Sequence, residues 1–352
     1  MSKQDIRNFS FESLSDYIAD LGEKRFRAQQ ISEWIYKKNI SSFDHMSNLP
    51  DLLVRKLNSD FQCLLLTVVK KQVSEDGTFK FLFALNGNEY IETVVIPTEK
   101  RMTICLSTQL GCKYGCRFCA SGLIGWQRHL TGAEIVNQII TAQVLLDKKM
   151  THVVFMGMGE PLDNVEEVLK AIHLINGKQG LGIAARRITI STCGIIPGIK
   201  RLAEENMQFE LAVSLHGSSD KVRDELIPVN KKYTLKKLIQ ACHDYVARTN
   251  RQITFEYILL KDLTCTESAA KELSRLLNGL LCKLNLILYN PVQELSYKRP
   301  GRRDVAIFRK RLSQLDIHAT MRRARGQDIT AACGQLRRQT QRESELLNDN
   351  ET

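Results

Sequence analysis

The 352-residue chain lacks several features, and each absence narrows what it can be. No apolar run approaches the roughly 18 residues that span a bilayer. The first thirty residues mix charged and apolar positions and contain no signal-peptide core. The expectation is a cytoplasmic protein with no membrane partner. Outside one segment the chain also lacks net charge. Residues 298–342 carry thirteen Lys/Arg against three Asp, while the remainder sets 37 basic against 36 acidic side chains. Nearly all of the formal +11 therefore lies in one C-terminal segment, the footprint of a polyanion such as nucleic acid. Arginine prevails there, and its planar fork suits phosphate and base stacking. A solvated basic surface is the alternative.

A fourth cysteine is missing where one is looked for. Gly111 to Cys119 reads GCKYGCRFC, placing Cys112, Cys116 and Cys119 at C-x3-C-x2-C spacing, with Gly111 and Gly115 free to turn the backbone sharply. No further cysteine follows closely downstream. Thiolates are soft ligands that suit an iron–sulfur cluster or zinc. Three readings stay open on spacing alone: a 4Fe–4S cube with one iron exposed, a structural zinc that borrows Cys105, or buried cysteines without metal. The ten cysteines in a chain without a secretory leader favour a reducing compartment, where thiols serve metal or redox chemistry.

Hydrophobic residues make up 43% of the chain, enough for a large core. Residues 1–60 read as helices, with Ile31, Trp34 and Ile35 on one face and Leu52, Leu53 and Leu57 on another. Residues 64–97 switch to strand chemistry: LLLTVVKKQV, TFKFLFAL and YIETVVIP, joined by Asp76-Gly77 and Asn86-Gly87 turns, predict a three-stranded antiparallel meander. From residue 100 strands alternate with helices. MTICLS, THVVFM, RITIS, FELAVSL, ITFEYILL, KLNLILY and HATMRR are the strands, and Thr131 with Glu134 forms a capping box for the first helix between them. Six strand–helix units in unbroken alternation predict a parallel sheet with helical crossovers, a partial (βα)6 TIM-like barrel, with a doubly wound open sheet as runner-up. The expected organisation is an N-terminal helical and antiparallel-sheet domain over 1–97, the barrel over 98–325 and a tail over 326–352.

Parallel α/β folds carry their sites at the carboxyl ends of the strands. The cysteine loop, Gly157-Met158-Gly159-Glu160-Pro161, Ser191-Thr192-Cys193-Gly194, Ser214-Leu215-His216-Gly217 and Tyr289-Asn290-Pro291 all fall at such ends. Singly each is an ordinary turn, and His216 alone reads as a core histidine. Together they line one rim with backbone donors and acceptors, suited to a polar cofactor beside the metal.

These motifs resemble a known family. The cysteine loop and G-x-G-E look like a radical S-adenosylmethionine enzyme, and GMGEPL, STCGIIP, SLHG, RDELIPVNKKY and AACGQL are similar to the RlmN/Cfr group of RNA adenine methyltransferases, in matching order along essentially the whole chain. The resemblance implies that Cys112, Cys116 and Cys119 hold a 4Fe–4S cluster. It implies that Gly159, Glu160, Ser191, Ser214, Leu215, His216 and Asn290 bind S-adenosylmethionine, of which two molecules are used per turnover. Cys333, in AACGQL, is then the thiol that becomes methylated, Cys105 the thiol that resolves the RNA–protein adduct through a transient disulfide, and Glu92 the proton acceptor. Without the resemblance Cys105 and Cys333 would read as small buried hydrophobes, and Glu92 as a solvent-facing strand residue. The implied substrates are 23S rRNA, in the peptidyl-transferase centre, and tRNA beside the anticodon, methylated at adenine C2. Gly-Glu-Pro-Leu at 159–162 favours that branch over the C8-methylating one. The implied partners include a one-electron donor such as flavodoxin or ferredoxin, the region 1–97 becomes an accessory RNA-binding domain, and the protein is expected to be a monomer. A non-catalytic RNA-binding protein with structural zinc is the alternative from another class. Cys193 departs from the small or aliphatic residue common in the family and is assigned no role.

Overall fold

The computed structural model describes residues 3–85, 89–123, 125–291, 295–322, 325–326 and 328–329. Helices α1 (Phe11–Asp20), α2 (Phe26–Tyr36) and α3 (Asp51–Asp60) come first. The Ser10 hydroxyl accepts from the Ser13 amide to cap α1, and Leu14, Ile18, Ile31, Ile35, Leu53 and Leu57 turn into a common core. Buried Arg7 ties this region to the rest. Its guanidinium donates to Asp5, to the Leu64 carbonyl at 2.6 Å and to Asn137 at 2.7 Å, on helix α4 (Gly132–Leu146).

Ten strands follow: β1 (Thr67–Val73), β2 (Phe79–Ala84), β3 (Tyr90–Thr98), β4 (Arg101–Cys105), β5 (His152–Phe155), β6 (Ile188–Thr192), β7 (Glu210–Ser214), β8 (Ile253–Leu259), β9 (Cys282–Leu288) and β10 (Ala319–Met321). They form one sheet whose spatial order is the chain order. Pairing is antiparallel from β1 to β4 and parallel from β4 to β10. The crossovers run through α4, α5 (Val165–Asn176), α6 (Ile196–Ala203), α7 (Asp220–Leu226) with α8 (Leu235–Thr249), α9 (Glu267–Leu277) and α10 (Arg302–Gln314). Strand order never reverses, so this is the partial barrel and not the doubly wound sheet. The capping box at the head of α4 forms as expected: Thr131 accepts from the Glu134 amide at 3.2 Å, and Glu134 from the Thr131 amide at 2.9 Å.

The meander is not a separate sheet. Residues 97 and 98 lie at the end of β3, in the hairpin with β4, where Val94 pairs with Cys105 and Thr98 with Arg101. β4 has partners on both flanks, so the change of rhythm near residue 100 marks a change in pairing sense rather than the end of a sheet. The expected Asn86-Gly87 turn lies outside the described residues. Thr93 donates to Gln138 of α4 at 2.8 Å, which turns Thr93 toward the helices and leaves Glu92 and Val94 facing the barrel interior.

The chain leaves β10 at one edge of the sheet and meets the β1–β2 turn at the other. Ser74 and the Glu75 amide donate to Asp328, the latter at 2.9 Å, and the Gly326 amide donates to Asp76 at 3.0 Å. Gly326 and Asp328 thus tie the tail to the far edge. Among the described residues no helix is long and apolar enough to cross a membrane.

Candidate active site

β4 runs into a small hairpin, Gln109–Gly111 paired with Trp126–His129, whose loop carries the three cysteines. Gly111 has φ +78°, and a Cβ there would stand 1.6 Å from the Gly125 carbonyl oxygen, so only glycine closes this hairpin. The Cys112 amide donates to Gly125 at 2.9 Å and the Cys119 amide to Cys116 at 3.0 Å. The Arg117 amide donates to Leu226 at 2.9 Å, docking the loop on α7. Asp163 braces it from the next rim segment, accepting from Tyr114 and Gln109 at 2.9 Å and pairing with Lys113 at 2.6 Å. Burial opposes the Asp163 charge, but these donors hold its carboxyl below the ordinary range.

Cys112, Cys116 and Cys119 are half-buried and line a cavity of about 200 Å³ together with Gly157, Gly159, Glu160, Ser191, Ser214 and His216. The strand ends predicted from sequence therefore converge on the thiols. Gly157 and Gly159 permit close approach: a Cβ on the first would lie 2.6 Å from the Leu106 carbonyl oxygen, and on the second 2.6 Å from Gln109. Buried Glu160 is spoken for on both oxygens, accepting from the Leu162 amide at 3.0 Å and the Cys193 amide at 2.7 Å. Burial raises its pKa, against the pull of those amides. His216 sits at φ +50°, its ring edge-on to Phe118 at 4.7 Å, and its Nδ1 accepts from the Ile258 amide at 3.1 Å. Burial, then nearby Arg223, pushes its pKa down to about 3, so the ring is neutral with its proton on Nε2. Leu215 is buried and contributes backbone, its amide donating to Glu256 at 3.0 Å.

Asn290, Cys105 and Glu92 are not among the residues that line this cavity. Asn290 is exposed just past β9. Cys105 is buried on the interior face of β4. Cys333 lies outside the described residues. Glu92 is not solvent-facing: it is 2% exposed and pairs at 3.0 Å with Lys80, which is 0% exposed. A polar residue in alternation looks the same from sequence whether its face meets water or a polar interior.

The structure adds residues that the sequence reading passed over. Buried Arg223, from RDELIPVNKKY, donates to the carbonyls of Cys193 at 2.6 Å and Leu215 at 3.1 Å and to Asn230 at 2.8 Å. It binds two strand ends into one rim, which gives that motif its physical meaning. Glu256 and Arg322 also line the cavity, and Glu256 accepts from Asn285 at 3.0 Å. An acid in the middle of the apolar run ITFEYILL was the available signal. Cys193 is buried on the same cavity wall, where the neighbouring Cys116 sulfur, then burial and Glu160, push its pKa up. A larger cavity, about 800 Å³, opens between the N-terminal helices and α4–α5, and none of the cysteine-loop residues line it.

A partial parallel barrel whose first parallel strand feeds a three-thiol loop, ringed by glycine-containing strand ends, defines a radical S-adenosylmethionine enzyme. Residues 106–267 match the radical SAM superfamily, and residues 4–62 match the ribosomal RNA large subunit methyltransferase N-terminal domain. A radical SAM methyltransferase from Sphaerobacter thermophilus has the same fold, with a TM-score of 0.90 and 40% identity over 94% of this chain and 98% of that one. The probable dual-specificity RNA methyltransferase RlmN of Clostridium novyi (strain NT) is 45% identical over 336 residues, covering 95% of this chain and 98% of that protein. Its counterpart from Staphylococcus saprophyticus is 44% identical over 338 residues, 95% and 93% of the two chains. The chain belongs to the RlmN family of radical S-adenosylmethionine RNA methyltransferases. The donor set fits the cofactor of that class: three soft thiols on one cavity wall, and beside them a rim of amides and carbonyls.

Proposed function

We propose that the protein methylates C2 of an adenosine in the peptidyl-transferase centre of 23S rRNA and of the adenosine beside the anticodon in tRNA. The convergence of Cys112, Cys116 and Cys119 with the Gly157–Glu160, Ser191 and Ser214–His216 strand ends in one cavity supports this reading most directly. The Clostridium and Staphylococcus relatives are named as probable dual-specificity RNA methyltransferases, which supports action on more than one RNA. Cys112, Cys116 and Cys119 would hold a 4Fe–4S cluster, and Gly159, Glu160, Ser191, Ser214, Leu215 and His216, with Asn290 outside the cavity at the open rim, would bind S-adenosylmethionine. When bound, these groups supply a methyl group and, from a second S-adenosylmethionine and one electron from a flavodoxin or ferredoxin, a hydrogen-abstracting radical.

The chain's own thiols do the rest. Adenine C2 has no lone pair with which to attack a methyl donor, so the carbon is carried on Cys333 and delivered as a covalent adduct. The Cys105 thiolate then attacks the Cys333 sulfur. The new S–S bond forms as the carbon–sulfur bond breaks, its electron pair passing to the transferred carbon, which takes up a proton to become methyl. Before that attack the adduct, formed as a radical, gives up its unpaired electron to the one-electron carrier and its ring proton to Glu92, which restores a closed-shell aromatic ring. Neutral His216 and the amide-tied Glu160 hold the rim in fixed geometry and exclude water. The basic segment 298–342 holds the RNA, whose target base is read unstacked.

The position of the new methyl group, read by mass spectrometry of RNA from cells expressing the protein, tests the reading. 2-Methyladenosine is expected, and 8-methyladenosine would overturn it. Cys105→Ala should trap a covalent RNA adduct through Cys333; methylation that proceeds without an adduct would discard the two-thiol scheme. Anaerobically purified protein should be brown from its cluster, and a colourless, zinc-loaded protein would leave only RNA binding.

A further inference from the structure

We propose that Lys80 is a positioning residue that holds the Glu92 carboxylate in place inside the barrel, so that a base can exist at that depth beside Cys105. This rests on the reading of Glu92 as proton acceptor. Lys80 Nζ and Glu92 Oε2 are 3.0 Å apart, with side chains 0% and 2% exposed. A carboxyl group buried alone drifts toward its neutral form, and a neutral carboxyl accepts no proton. An ammonium within hydrogen-bonding distance favours the anion. Such a buried pair adds little net stability compared with apolar side chains of the same volume, so packing alone does not account for it.

Register places the pair relative to the resolving thiol. Lys80 opposes Val94, and Val94 opposes Cys105, so the three form one cross-strand row on the interior face. Glu92 opposes Leu82 in the adjacent row. Because β3 runs antiparallel to β4, that row lies on the side of Cys105 toward the rim, where β4 ends. The Ser107 hydroxyl fixes the level of this row by donating to the Glu92 carbonyl at 2.6 Å. It also accepts from the Met158 amide at 3.0 Å, within the glycine loop. Base, thiol and cofactor loop are thereby held in one frame. Among the described residues, the other titratable groups on this face near Glu92 are Lys70 on β1, which opposes Leu82, Tyr90 on β3, and Cys105 on β4. Lys80, among the described residues, makes a direct and fully buried contact with the Glu92 carboxylate.

The step assigned to the pair is a proton transfer. The ring C–H bond breaks, its electron pair stays on the ring carbon, and an O–H bond forms on Glu92.

The test measures single-turnover transfer from the Cys333-methylated holoenzyme to RNA as a function of pH, with iron content and circular dichroism recorded for each variant. Lys80→Met should move the acid limb of the profile to higher pH, and Lys80→Arg should restore it toward the wild-type position. A folded, iron-loaded Lys80→Met protein with an unshifted limb overturns the proposal. Glu92→Gln separates the two ideas: full rate in that variant removes the proton-acceptor reading itself. If Lys80→Met does not fold, the infrared difference between wild type and Glu92→Gln at neutral pH decides. An ionised carboxylate band assigned to Glu92 supports the proposal, and a protonated carboxyl band overturns it.

Discussion

Arg223 and Lys80 are both fully buried cations, yet the protein neutralises them differently. Arg223 spreads its fork over the carbonyls of Cys193, Ser214 and Leu215 and the side chain of Asn230. Its contacts with carboxylates run through Asn230, which donates to Asp220 and Asp224. Lys80 instead faces the Glu92 carboxylate directly. Neutral acceptors around a guanidinium make a rigid brace with nothing to titrate. An ammonium and a carboxylate in a low-dielectric interior make a pair whose charge can be shifted by one proton. One half of the barrel, around β6 and β7, thus uses its buried cation to brace the rim, and the other half, around β2 and β3, pairs its own with a buried carboxylate.

The largest effect expected from this contrast is at the brace. Arg223→Met leaves three carbonyls and Asn230 without their donor in a buried setting, and removal of one partner from such a site costs about 3–5 kcal/mol. Urea unfolding should show that loss. Arg223→Lys should recover little, because three donors on a point charge cannot reach the same set of acceptors. Full recovery by lysine would erase the distinction between a fork-shaped brace and a simple buried charge.

A smaller effect follows from His216, next to that brace. Its folded pKa of about 3 lies below the ordinary histidine value. The unfolded chain therefore takes up a proton that the folded one refuses as pH falls below about 6.5. The neutral ring's contribution is complete above that value and declines toward pH 3, reaching a loss of about 2 kcal/mol near pH 5. Comparing urea midpoints at neutral pH and near pH 5 for the wild type and His216→Gln checks this. Equal pH dependence in the two proteins would mean that His216 is protonated in the fold.

The parallel half was legible in the sequence because its requirements are local. Gly111, Gly157 and Gly159 mark places where a Cβ would strike backbone or a packed side chain, and the thiols sit within eight residues of one another. The same proximity made the strand ends readable as a single rim. The antiparallel half was legible as strands but not as chemistry. Glu92 meets Lys80 across two strands, and the alternation of TFKFLFAL and YIETVVIP is the same whether the polar face meets water or the barrel interior. Arg223 was visible inside a motif, but its role depends on carbonyls 8 and 30 residues away in the chain. Asn290 shows the converse limit: its place at a strand end predicted a cavity residue, and it is exposed at the rim.

The smallest expected effect concerns the polar clasp between the tail and the β1–β2 turn, where the acids are exposed rather than buried. Asp328 accepts from Ser74 and the Glu75 amide, and Asp76 from the Gly326 amide, with Arg325 3.8 Å away. Slight burial opposes the Asp76 charge, but hydrogen bonds from Thr78, Gly326 and Ser74 hold its pKa down at about 2. Its contribution is thus present above the ordinary carboxylate range and is lost only as pH falls toward 2. Asp328→Ala should leave the unfolding midpoint almost unchanged, because solvent replaces the lost partner. Amide exchange at Glu75 should rise several-fold, and Asp328→Asn, which keeps an acceptor oxygen, should fall between. Because Cys333 lies four residues beyond Ile329, at most about 14 Å of extended chain, the same variant should slow formation of the Cys105–Cys333 disulfide under mild oxidation. Unchanged exchange and unchanged disulfide formation together would mean that the edges of the sheet are not joined in solution, and that the tail reaches its site without the clasp.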